Sequence, residues 1–166
     1  HMENITCIAC GKESPYRYWD MIDPMMNQET KDKVLSGELF TFTCKHCGAK
    51  RRVTYDTIYQ EVAKGRTFHL VTSEESYMQA VNIYADRDSH SSPVLAHEIV
   101  RIVLSQNQLA EKIRIFDEGL DDRIVEIIKA YFLSQLYEQE QDIQVDEVLF
   151  FVGDQNQYEI AFLSQD

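Results

Sequence analysis

The chain has 166 residues, 44% of them hydrophobic and 27% charged. That composition is globular, with room for one domain of ordinary size or two small ones. Its longest unbroken apolar run is the five residues Val148–Val152, against roughly 20 for a membrane-spanning helix. Sixteen basic and 28 acidic side chains give a net charge of −12, which repels phosphate backbones and opposes non-specific nucleic-acid binding.

The charge is uneven. Residues 1–70 hold 10 basic and 9 acidic side chains, whereas residues 71–166 hold 6 and 19. The acidic part is expected to keep the chain in solution and is suited to a basic partner. His1-Met2 reads as an added remnant, and no charged-then-apolar signal follows it. A cytoplasmic location is therefore expected.

Cysteines occur at 7, 10, 44 and 47 and nowhere else. They form two Cys-x-x-Cys pairs, Cys7-Ile8-Ala9-Cys10-Gly11 and Cys44-Lys45-His46-Cys47-Gly48. Each turn points two thiolates at one spot, and the following glycine supplies the backbone freedom the turn needs. Together they supply the four soft ligands of a tetrahedral zinc site. Disulfides suit an exported chain instead. A thioredoxin-like redox pair occurs once, at a helix start, whereas here two pairs lie among strand-like residues. With four cysteines the metal is saturated, so His46 reads as an exposed loop residue. A closed thiolate set keeps no open position for water or substrate, so the zinc is expected to be structural.

Between Cys10 and Cys44 the chain is longer than in an ordinary ribbon. Tyr16–Asp20 reads as a strand, Gln28–Leu35 as a short helix ended by Gly37, and Glu38–Thr43 as a strand delivering Cys44. Arg51–Tyr55 and Thr67–Val71 are strand-like and are expected to complete the ribbon sheet. Ala80–Tyr84 reads as a strand, followed by the polar linker Asp86–Pro93. His90 and His97 have no partner at ligand spacing and read as solvent-facing.

Glu98–Val103 reads as a short strand. Ser105 and Gln108 form a capping box for a helix bearing Leu109, Ile113 and Phe116 on one face and stopped by Gly119. Asp121 caps a second helix with the apolar stripe Ile124, Ile127, Ile128, Tyr131 and Phe132. The two make an αα-hairpin. Ile143–Val152 and Gln157–Leu163 read as a β-hairpin around Gly153–Asn156. The fold class is thus α+β. A zinc-ribbon-like β domain with an inserted short helix spans 3–72, a linker spans 73–93, and an acidic part with the αα-hairpin and the C-terminal β-hairpin spans 94–166.

Several of these pieces resemble the CpXC domain family, a zinc-ribbon-like group without an assigned biochemical function. They are Cys7–Gly11, Phe40–Gly48 and Leu109–Phe116, the last running on through Gly119–Glu126. The resemblance covers most of residues 5–133 and implies a fold without an activity. The family name implies proline after the first cysteine, where this chain has Ile8. A proline there stiffens the turn and ligates nothing.

The leading expectation is a non-catalytic protein-interaction or regulatory module holding one structural zinc on Cys7, Cys10, Cys44 and Cys47, with a protein partner. The alternative is nucleic-acid binding through Lys45, His46, Lys50, Arg51 and Arg52, with Tyr16, Tyr18 and Trp19 as stacking faces. A third reading is an enzyme built on Asp117, Glu118, Asp121, Asp122 and Glu126. There Asp122 and Glu126 are helical i, i+4 neighbours suited to a second ion or to acid/base work. No phosphate-cradling glycine loop or nucleophile elbow accompanies them, so no catalytic or cofactor-binding residue is assigned.

Overall fold

The computed structural model describes residues 1–89 and 98–164. His90, His97 and the end of the expected linker lie outside them. The fold is mixed α+β, and the chain divides into two compact units, His1–Leu109 and Ala110–Asp166.

The N-terminal unit starts with β1 (Met2–Thr6) and β2 (Glu13–Arg17), which pair antiparallel. After β3 (Met21–Ile22), helix α1 (Glu29–Ser36) ends where Gly37 takes a φ of +79°. A left-handed residue there closes the last turn without a Cβ clash. Glu38–Phe40, expected as strand, is a single 3-10 turn, and only Thr41–Thr43 forms β4. β4 pairs antiparallel with β5 (Lys50–Arg52).

The remaining strands make a separate four-stranded sheet. β6 (Thr57–Glu61) and β7 (Arg66–Leu70) pair antiparallel in its middle, with β3 parallel to β6 and β8 (Ile99–Val103) parallel to β7. Thr67–Val71, expected from sequence to complete the ribbon sheet, does not do so. Its residues 67–70 pair instead with β8, beyond the stretch 73–93. Tyr59 and Phe68 are cross-strand partners with rings stacked 6.1 Å apart, and both are fully buried.

Two residues further along the ladder, Glu61 faces Arg66. Arg66 Nη2 donates to Glu61 Oε1 at 2.7 Å, and Tyr59 Oη donates to the same oxygen at 3.0 Å. Lys64 adds an ion pair at 3.0 Å. Burial pushes the Glu61 carboxyl up, but these donors outweigh it and hold it below the usual carboxylate range.

The strand expected at Ala80–Tyr84 is part of helix α2 (Glu74–Ser89). Ser73 and Ser76 cap it reciprocally, each backbone N–H donating to the other's hydroxyl at 3.2 and 3.1 Å. Glu74 and Glu75 add favourable charge in its first turn. That start signal, Ser-x-x-Ser over two glutamates, outweighs the β-propensity of Val81, Ile83 and Tyr84.

Helix α3 (Gln106–Asp117) starts as expected: Gln108 N donates to Ser105 Oγ, and the Gln108 side chain accepts from Leu104 N. In the C-terminal unit, α4 (Asp122–Gln139) is capped by Asp121, which accepts from Arg123 N at 3.0 Å. Strands β9 (Glu147–Val152) and β10 (Tyr158–Leu163) pair antiparallel. Ile115, Val125 and Phe150 form the core of this unit, with Leu120, Val152 and Ile160 against it.

The expected apolar stripe of α4 points the other way. Ile124, Ile127, Ile128, Tyr131 and Phe132 are all exposed, Ile127 at 69% and Tyr131 at 59%. The buried side carries Asp122, Val125 and Lys129. Lys129 Nζ lies 3.0 Å from both Glu111 carboxylate oxygens, Phe150 N donates to Glu111 Oε2, and Lys112 Nζ lies 2.8 Å from Asp122. A buried charge must be paired and hydrogen-bonded. Helical spacing identifies an apolar face, whereas these pairs decide which face turns inward.

Candidate metal centre

Two short hairpins position the four cysteines, and they share one local geometry. In the first, Cys7 N donates to Lys12 O at 2.9 Å and Gly11 N to Cys7 O at 2.8 Å. In the second, Cys44 N donates to Ala49 O at 2.9 Å and Gly48 N to Cys44 O at 2.9 Å. Gly11 and Gly48 have φ of +71° and +75°, a left-handed conformation that a Cβ would strain.

The hairpins bring the sulfurs of Cys7, Cys10, Cys44 and Cys47 within 4.8 Å of one another. Across the hairpins, Cys7 Sγ lies 3.6 Å from Cys47 Sγ, and Cys10 Sγ lies 3.6 Å from Cys44 Sγ. A zinc–sulfur bond of about 2.3 Å implies tetrahedral edges of about 3.8 Å, so the donor set fits a four-thiolate metal ion. Among the described residues it is the single such group of cysteine, histidine and carboxylate ligands.

Hydrogen bonds to sulfur favour the thiolate that a metal needs. Cys44 is lowered to about 6, first by the Cys47 backbone N–H, against burial, and further by the His46 N–H and the Ser14 hydroxyl. Cys47 is raised to about 12: the Ala49 N–H pulls it down, but the Cys7 thiol, burial and the other two thiols push it up.

Ser14 is a site residue that the sequence reading passed over. It is buried, donates to Cys44 Sγ at 3.7 Å and accepts from Lys45 N at 3.1 Å. The available signal was the alternation of β2, which turns Ser14 and Tyr16 inward together.

The surroundings account for the other candidates. His46 is exposed, and its Nε2 lies 3.2 Å from Glu13 O, away from the sulfurs' shared space. Ile8 is 84% exposed, so no packing constrains that position. Tyr16 is no free stacking face: it is buried, donates to Leu39 O at 2.9 Å and lies edge-on to Tyr18 and Tyr55. Trp19 lies beneath the Arg17 guanidinium, 3.9 Å from its ring centre. Lys50, Arg51 and Arg52 are exposed along β5, and Arg52 donates to Asn107.

Three of the five acidic residues read as a possible second site pair with cations. Asp122 pairs with Lys112, Glu126 with Lys129 at 3.1 Å and Lys112 at 3.6 Å, and Asp121 with Arg123 at 2.7 Å. Asp117 and Glu118 are exposed at the end of α3. No helix among the described residues is long and apolar enough to cross a membrane.

No curated protein and no solved structure gives a significant match to the chain. The family model described as CpXC protein matches residues 5–129, a span that holds both cysteine hairpins, the four-stranded sheet and α3. By that match over well more than half its length, the chain belongs to the CpXC family.

Proposed function

We propose that Cys7, Cys10, Cys44 and Cys47 hold one structural zinc ion in a ribbon-like site, and that the chain is a non-catalytic protein-interaction or regulatory module. The observation that carries this reading is the closed set of four sulfurs within 4.8 Å of one another on twin hairpins. Bound zinc would cross-link the two hairpins and substitute for core in a segment with little apolar volume. Four thiolates saturate it, leaving no position for a substrate. The cation-paired carboxylates of α4 give an acid/base reading no support. The internal packing of Tyr16 and the net charge of −12 weigh against nucleic acid as the partner.

Affinity capture from cell extract tests the module reading, comparing the intact chain with Cys44→Ser. A discrete partner retained by the intact chain and lost with the metal site supports it. Turnover of a small molecule by the purified zinc-loaded chain, with no partner retained, contradicts it.

A further inference from the structure

The C-terminal unit turns an apolar helix face outward and locks it there. Ile124, Ile128 and Phe132 lie at i, i+4 and i+8 on α4, so they form one ridge about 12 Å long at 1.5 Å per residue. With Phe150, Tyr158 and Ile160 of the β-hairpin they line a groove of about 280 Å³. Single exposed apolar residues are ordinary, but a contiguous apolar groove marks a binding surface. Turning the ridge inward would separate Lys129 from Glu111, which is buried and also holds the Phe150 N–H.

The charge of the segment that carries the groove points to the occupant. From Ala130 to the end of the chain there are eight carboxylates and no Lys, Arg or His. Residues 110–166 together hold 14 acidic and four basic side chains. Glu118 accepts from the groove's Tyr158 hydroxyl at 3.2 Å. Asp121, in the groove's lining, engages Arg123 at 2.7 Å. A second copy would bring an equally anionic unit against this one, and anionic membranes are repelled in the same way.

Resting on the interaction-module reading above, we propose that this groove docks a basic amphipathic helix from a partner protein. About two turns of it would lie apolar side down along the Ile124–Ile128–Phe132 ridge. Its lysines or arginines would face the carboxylates of the rim. This is helix-in-groove recognition, with apolar anchors supplying contact and the rim supplying selection by charge.

The test is fluorescence anisotropy of the zinc-loaded full chain with a labelled peptide of leucine and lysine at helical spacing, and with its counterpart carrying glutamate for lysine. The lysine peptide should bind saturably and weaken with salt, and the glutamate peptide should bind about tenfold more weakly or worse. The double variant Ile128→Gln/Phe132→Gln should lose about tenfold or more. Both residues are exposed, so α4 should keep its hydrogen-exchange protection. If the variant unfolds, exchange mapping on the unaltered chain replaces it, and the peptide should slow exchange over residues 124–132.

Several results overturn the proposal: no binding of the lysine peptide, equal binding of the two peptides, or no slowing of exchange over 124–132. So does dimerisation of the chain, or binding to phosphatidylserine vesicles, that the double variant abolishes. Loss of peptide binding alongside partner capture that still depends on Cys44 overturns this inference alone. Peptide binding by a chain that takes up no zinc overturns only the metal reading.

Discussion

Lys129 Nζ is 3.0 Å from both carboxylate oxygens of Glu111, and the same carboxylate accepts the backbone N–H of Phe150. This contact orients α4: Lys129 is buried while its neighbour Ile128 is exposed. Burial pushes the Glu111 carboxyl up, and the Phe150 N–H and Lys129 oppose that without reversing it. The pair is therefore costly to break from one side.

Lys129→Met leaves the Glu111 carboxylate in the core without its ammonium partner and with the Phe150 N–H still donating to it, and should destabilise the C-terminal unit by about 3–5 kcal/mol. Adding Glu111→Gln removes the stranded charge and keeps an acceptor for Phe150, so most of the loss should return. Urea denaturation of both variants checks this. Equal deficits in the single and double variants would show that the pair does not set the helix orientation.

Glu61 gives the N-terminal unit an acid limit. Its folded pKa lies below the ordinary value, so its contribution is complete above its unfolded pKa of about 4.3. That contribution is lost as the pH falls through the depressed value. Glu61→Gln should cost stability at neutral pH, by about 3–5 kcal/mol because the buried 2.7 Å ion pair with Arg66 is broken from one side. The gap to the unaltered chain should narrow below about pH 4. A gap that stays constant with pH would contradict the ion pair.

Much of the site was legible and the reasons are local. Cys-x-x-Cys-Gly encodes a turn within five residues, and two copies leave little choice of chemistry. The Ser105–Gln108 and Asp121 caps are likewise written in neighbouring residues. What was not legible depends on distant partners. The parallel pairing of Leu70 with Val103 has no local signature, so the residues of β7 alone do not specify its sheet. The orientation of α4 depends on Glu111 accepting both Lys129 and Phe150 N–H, contacts 18 and 39 residues apart. For α2, the Ser73–Ser76 cap was a local signal, hidden by the β-branched and aromatic residues that follow it.

Metal removal should act unevenly. The hairpins β1–β2 and β4–β5 rest on the cysteines and a small aromatic cluster around Tyr16 and Phe42, whereas α4, β9 and β10 have their own core. A strong chelator should therefore abolish hydrogen-exchange protection in the two hairpins and spare residues 122–163. How far along 3–72 and into β8 the loss extends marks the metal-dependent folding unit. Uniform loss along the chain would show a single cooperative unit instead.

Ser14→Ala should leave one zinc bound but weaken it. The hydroxyl orients Cys44 and ties it to Lys45 N, and outer hydrogen bonds of this kind are worth about 10–100-fold in metal affinity. Competition with a zinc-binding dye should show that loss, while the cobalt-substituted variant keeps a four-thiolate absorption spectrum. Unchanged affinity would reduce Ser14 to a packing residue.

The most direct test is elemental analysis of the chain purified without added metal, paired with thiol titration of the folded protein. One zinc per chain is expected, released with unfolding of the cysteine hairpins, since structural zinc sites contribute about 10–16 kcal/mol. Cys44→Ser should lose it. A metal-free chain that is fully folded and presents four reactive thiols would contradict a structural zinc centre.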